Sequence, residues 1–205
     1  MPAGVDTHRA HFDRKQAQNR ASSAVGSRST QTLAMTARML ERIYNYRLVD
    51  ESLATSGQPS VAQLADIAAT GYAVIINLGL HDDPRYSLPD EPGSVGALGL
   101  KYIHIPIQFG EPTRQDLQAF FEALDAHRAQ KTWVHCGANM RVSAFLGLYR
   151  VLREGWEEAR AFQLMHSVWQ PNEVWSSFIA SSLKDLERQP ADGRVPAVPA
   201  IQRKK

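Results

Sequence analysis

Apolar and polar positions change their spacing several times along the chain, and each change marks an element. Up to about residue 38 no period is sustained, so residues 1–38 are expected to form a disordered, basic N-terminal arm. LERIYNYRLV (40–49) then brings in aromatic and aliphatic positions and opens a domain expected over 40–187. SGQPS (56–60) is turn chemistry. Ser60 with Gln63 fits a capping box for a helix through Ala69, and Gly71 stands where a C′ glycine belongs. YAVIINL (72–78) is a continuous, β-branched run, which predicts a strand buried on both faces.

HDDPRYSLPDEPG (81–93) reads as a polar loop, followed by a short helical patch to Leu98. KYIHIPI (101–107) sets Ile103, Ile105 and Ile107 against Tyr102, His104 and Pro106, the period of a strand. Thr113 and Asp116 cap a helix that carries Leu117, Phe120, Phe121 and Leu124 at helical spacing. TWVH (132–135) is a further short strand. Helices are expected at 141–154, 157–169 and 173–187, punctuated by Gly155 and Pro171-Asn172, and the Pro-rich, basic tail 188–205 is expected to be loose. This order of elements predicts an α/β domain with a mainly parallel central sheet flanked by helices.

Composition alters that picture little. A chain of 205 residues suits one domain, and 43% hydrophobic with 21% charged residues is ordinary for a soluble globular protein. A net charge of +2 calls for neither nucleic acid nor membrane as a partner, although residues 1–42 carry a local +4. One cysteine rules out an internal disulfide. The longest apolar run, AVIINLGL (73–80), falls far short of the roughly 20 residues a membrane helix needs. The N-terminal stretch lacks the apolar core of a secretory signal. A cytoplasmic location is expected, with no membrane or nucleic-acid partner.

The chemistry gathers in VHCGANMRVSAF (134–145). Cys136 falls at the end of a predicted strand, where ligands collect in a parallel sheet. Gly137, Ala138 and Asn139 are small or turn-tolerant and can curl their backbone N–H groups toward one point. Such a nest binds anions, and the start of the next helix adds partial positive charge, favouring the thiolate of a cysteine held there. Arg141 supplies a planar two-donor fork. Alone, a cysteine behind an apolar strand is a small buried residue; the conjunction with the loop and the arginine points to anion handling. The seven histidines show no pair at metal-ligand spacing, so neither metal nor cofactor is expected. His104 is read as packed or half-exposed, His166 as packed, and Trp169 with Trp175 as pinning two C-terminal helices together.

These residues resemble the cysteine-dependent protein phosphatases, in particular the dual-specificity and bacterial tyrosine-phosphatase-like branch. SGQPSVAQLADIAATGYAVIINL (56–78) is similar to that branch's opening turn, helix and first core strand. LGLKYIHIPI (98–107) resembles the strand leading to its acid loop, and VHC…R…SAF its phosphate-binding loop and helix, so about residues 43–182 are covered. The resemblance implies a phosphorylated protein or small phosphomonoester as substrate, with Cys136 as nucleophile and Arg141 as the phosphate-binding arginine. His135 would orient the loop and keep the thiol ionised. The receiving loop would comprise His135, Gly137, Ala138, Asn139, Met140, Arg141, Val142 and Ser143, with no metal.

Two departures stand out. The family places five residues between cysteine and arginine and a Ser or Thr directly after it; here GANM makes four, and Val142 precedes Ser143. Ser143 is taken to do the hydroxyl's work and Asn139 to supply side-chain donors. The family's acidic residue is replaced by Gln108, which leaves Glu111, Asp82 and Asp83 as candidates. A four-residue loop also resembles that of rhodanese-type sulfurtransferases, which would carry a persulfide on Cys136. The missing acid leaves a non-catalytic phosphate- or anion-binding module as a third reading.

Overall fold

The computed structural model describes residues 38–188, with side chains described to Lys184. The expected arm and tail, apart from Arg38 and Arg188 at their boundaries, lie outside the described residues. Five strands form one sheet: β1 (Arg47–Leu48), β2 (Leu53–Ser56), β3 (Val74–Asn77), β4 (Lys101–His104) and β5 (Thr132–His135), in the order β1-β2-β5-β3-β4. β1 runs antiparallel to β2, and the other pairs are parallel. The helices are α1 (Val61–Ala69), α2 (Glu91–Ala97), α3 (Arg114–Ala126), α4 (Met140–Leu152), α5 (Glu158–Ala161), α6 (Gln163–Val168) and α7 (Glu173–Arg188). The expected mainly parallel sheet flanked by helices is the fold found.

Side chains alternate across the sheet. Val74, Ile76, Leu78, Val134 and Cys136 enter one core with Phe120, Phe145 and Trp175 of α3, α4 and α7. Ala54, Ile75 and Trp133 enter the other with Leu64, Ile67 and Val95 of α1 and α2. Helices on both faces explain why β3 and β5 are buried at all four positions. Full burial of each large side chain contributes about 1.5–3 kcal/mol. Capping boxes start α1 (Ser60 with Gln63) and α3 (Thr113 with Asp116), as the sequence predicts.

Three elements differ from the sequence reading. β1 and β2 were not expected; β2, LATS, carries two polar residues that are nonetheless fully buried. Its Ser56 Oγ donates to Gly57 O and accepts from Trp133 Nε1 at 2.9 Å, and Thr55 Oγ1 accepts from Asn139 Nδ2 at 3.0 Å. Polar partners take the place of apolar packing there. The helix expected over 157–169 is two, broken at Phe162, whose ring occupies the space where a side chain on Gly147 of α4 would stand. His166 is exposed rather than packed, because α6 turns Met165 inward instead.

Register aligns the chemistry. Ser56 pairs with His135, His135 with Asn77, and Asn77 with His104, so the last residues of four parallel strands form one row at the sheet's carboxyl edge. Cys136 follows that row directly.

Candidate active site

The Cys136 loop is held from behind. Gly137 O accepts from Gln58 N at 3.2 Å, and Ala138 O accepts from Asn45 Nδ2 at 3.0 Å. Because a trans peptide is planar, the Gly137 carbonyl fixed on this side aims the Ala138 N–H the opposite way. Asn139 adopts the left-handed conformation (φ 64°), which an asparagine tolerates, and so turns the chain sharply into α4. Gly57, at the end of β2, approaches so closely that a Cβ there would stand 2.9 Å from Gly137 O. A four-residue crossing is thus built from a left-handed residue and a backbone brace.

Cys136, Gly137, Ala138, Met140 and Arg141 line a pocket of about 400 Å³. Its other walls come from Tyr44, Gly79, Leu80, Asp82, Asp83, Tyr86 and Phe109. The Arg141 guanidinium lies over the Phe109 ring, 5.3 Å from its centre, and Arg141 Nε is buried without a hydrogen-bond partner among the described residues. Phe109 is itself fixed: its carbonyl accepts from Trp175 Nε1 at 2.9 Å, and Trp169 and Trp175 pack edge to face beside it.

Other members of the predicted loop lie elsewhere. Val142 is sealed in the core. The Asn139 side chain points back, donating to Asn45 O at 2.8 Å and to Thr55 Oγ1, so it braces the loop and is not a donor to a bound anion. Ser143 Oγ donates to Met140 O at 3.0 Å and accepts from Trp169 Nε1 at 3.2 Å. Packing around α4 therefore commits the hydroxyl that was expected to serve the thiol. Neither Gln108 nor Glu111 lines the pocket; both are exposed on the segment beyond β4. Asp82 and Asp83 do line it. Asp83 is tied to Arg85, whose hydrogen bonds hold its carboxyl below the usual range, whereas Asp82 makes no hydrogen bond or ion pair among the described residues.

One acid escaped the sequence reading. Glu91, the first residue of α2, is fully buried, and its Oε1 stands 2.8 Å from His135 Nε2. The contact has ion-pair distance but lies off the axis of an ideal hydrogen bond. Gln58 Nε2 donates to the same oxygen at 3.1 Å; Asn77 Nδ2 and Tyr102 OH donate to Oε2 at 2.9 and 3.3 Å. Burial alone would push this carboxyl up. The His135 imidazole, by contact and by charge, together with Gln58 and His81 outweighs burial and holds it below its ordinary value. The signal available in the sequence was Asp90 followed by Pro92, a helix start; nothing in it aims Glu91 inward.

A five-stranded, mostly parallel sheet with a cysteine loop running into α4 is the dual-specificity phosphatase fold. P. aeruginosa TpbA shares it with a TM-score of 0.54 and 18% identity, over 67% of this chain and 84% of that one. The chain belongs to the family described as beta-lactamase hydrolase-like protein, phosphatase-like domain, which it matches over residues 45–150. It is 33% identical over 114 residues to a beta-lactamase hydrolase-like protein of Xylella fastidiosa strain 9a5c. That alignment takes in 52% of this chain and 25% of the relative, so the chain spans about a quarter of the curated relative it matches. A crystal structure of a candidate phosphatase from Shewanella putrefaciens CN-32 superposes with a TM-score of 0.64 and 29% identity, over 71% of this chain and 95% of that one.

Proposed function

We propose that the chain is a cysteine-dependent hydrolase of phosphomonoesters, either phosphotyrosine, phosphoserine or phosphothreonine on proteins or small phosphate esters. The observation that carries this reading is that Cys136 lines one pocket with an arginine whose buried Nε lacks an acceptor among the described residues. Leaving a buried donor unpaired costs about 1–3 kcal/mol, and an oxyanion held over Cys136 supplies the missing acceptor. Cys136 Sγ attacks phosphorus, the bond to the leaving oxygen breaks, and the phosphoryl group rests on sulfur. Water then attacks phosphorus, the P–S bond breaks, and inorganic phosphate leaves. The loop amides and Arg141 meet the charge that develops on the phosphoryl oxygens. Similarity to the Shewanella candidate phosphatase supports the same chemistry.

Asp82 is the carboxyl in this reading that protonates the leaving oxygen, since it lines the pocket and has no partner among the described residues, while Asp83 is bound to Arg85. Asp82→Asn should then lower kcat for an alkyl phosphate by about 10²–10⁴. An activated aryl phosphate, which needs no protonation, should keep most of its rate. Equal losses on both substrates would remove Asp82 from this role.

A second reading is sulfur transfer through a persulfide on Cys136, favoured by the four-residue loop. Intact mass separates the two. Acid-quenched during turnover of an aryl phosphate, the chain should carry one phosphoryl group on Cys136. An unmodified mass throughout turnover, together with one added sulfur after thiosulfate, would transfer the assignment to the second reading.

A further inference from the structure

We infer that Glu91 is a positioning residue of the Cys136 loop: its buried carboxylate holds His135, the residue before the nucleophile, and Gln58, whose backbone braces Gly137. The inference rests on reading Cys136 as the nucleophile.

Glu91 sits where the elements of the site converge. Its two oxygens face groups from the end of β5 (His135), the turn after β2 (Gln58), the end of β3 (Asn77) and β4 (Tyr102), with His81 Nε2 at 3.6 Å. Among the described residues no lysine or arginine pairs with it. Burying a carboxylate is costly unless its surroundings compensate, and an apolar residue would fill the same space without that penalty. The compensation is directed at the loop.

His135 shows the dependence most clearly. Its ring is fully buried, and among the described residues Nδ1 has no partner and the Glu91 carboxylate is the polar group that Nε2 meets. The orientation of the imidazole therefore hangs on Glu91. Gln58 joins the two halves of the brace, since its side chain donates to Glu91 Oε1 while its backbone N–H donates to Gly137 O. Loss of the carboxylate would loosen the loop on both sides of Cys136, at His135 and at Gly137, while leaving the hydrophobic cores in place.

Glu91→Gln preserves the shape and removes the charge. On an aryl phosphate, kcat should fall on the order of 10–100-fold, the size of coupling between contacting polar groups, with KM within about twofold. Glu91→Gln combined with His135→Asn should be no slower than His135→Asn alone, because the two act as one unit. Alkylation of the chain's one cysteine by neutral iodoacetamide at fixed pH should slow in parallel, and that readout needs no turnover. Wild-type kcat and alkylation in Glu91→Gln would overturn the inference. So would losses that multiply in the double variant, or faster alkylation, which a merely loosened loop would give. If Glu91→Gln does not fold, Glu91→Asp, with charge kept and reach shortened, should lower kcat at constant KM, and an unchanged kcat would overturn the inference. If the wild type hydrolyses no phosphate, the proposed function fails, and the alkylation series still decides the role of Glu91.

Discussion

Arg141→Lys should lower kcat/KM for an aryl phosphate by about 10²–10³, the loss expected when one preorganised donor to a transition-state oxyanion is removed. The charge is kept, so any loss reports geometry. Arginine presents a rigid planar fork that can bind two oxygens at once, whereas lysine offers a point charge on a flexible stem. The fork is aimed in advance: α4 carries Arg141 in its first turn, and Phe109 lies under the guanidinium, held in turn by Trp175. Arg141 makes no hydrogen bond or ion pair with another described residue, so thermal stability should change little beyond the cation–π contact, which is worth about 0.5–1 kcal/mol. Steady-state kinetics and a melting curve on the same preparation check both halves. Activity within a fewfold of wild type would mean that the guanidinium does not touch the anion.

Much of this frame is legible in the sequence because its signals are local. The Ser60 and Thr113 caps, the apolar run that became β3 and the TWVH strand each announce themselves within a few residues. So does the succession of a strand end, Cys136, a small-residue loop and Arg141. What was not legible depends on partners far along the chain. β2 looks too polar for a core strand until Trp133 and Asn139, 77 and 84 residues away, satisfy Ser56 and Thr55. Asn139 and Ser143 carry side chains suited to binding an anion, and only the packed structure shows both already engaged, with Asn45 and Thr55 and with Met140 and Trp169.

Glu91 is the converse case. It lies within a run read as a polar loop, yet it is the most enclosed acid of the site. Charged residues are rarely buried unless they are paired, so sequence reasoning leaves such a residue outside. Its burial depends on the row formed by Ser56, His135, Asn77 and His104 at the ends of four strands, a register that no local pattern encodes. The shortened loop has a similar explanation. Asn139 in the left-handed conformation and the close approach of Gly57 allow four residues to reach from β5 to α4.

In the proposed reaction Cys136 Sγ is the attacking atom. Cys136→Ser changes one atom at a site already packed in the core, so the fold should persist, but a serine hydroxyl is a far poorer nucleophile than a thiolate at neutral pH. The direct measurement is hydrolysis of an activated aryl phosphate by wild type and Cys136→Ser at matched concentration, with melting curves to show that both are folded. Turnover by the wild type and a fall of at least about 10³-fold in the variant are expected, the scale on which loss of a covalent nucleophile acts. Hydrolysis by folded Cys136→Ser at the wild-type rate would mean that Cys136 Sγ is not the attacking atom.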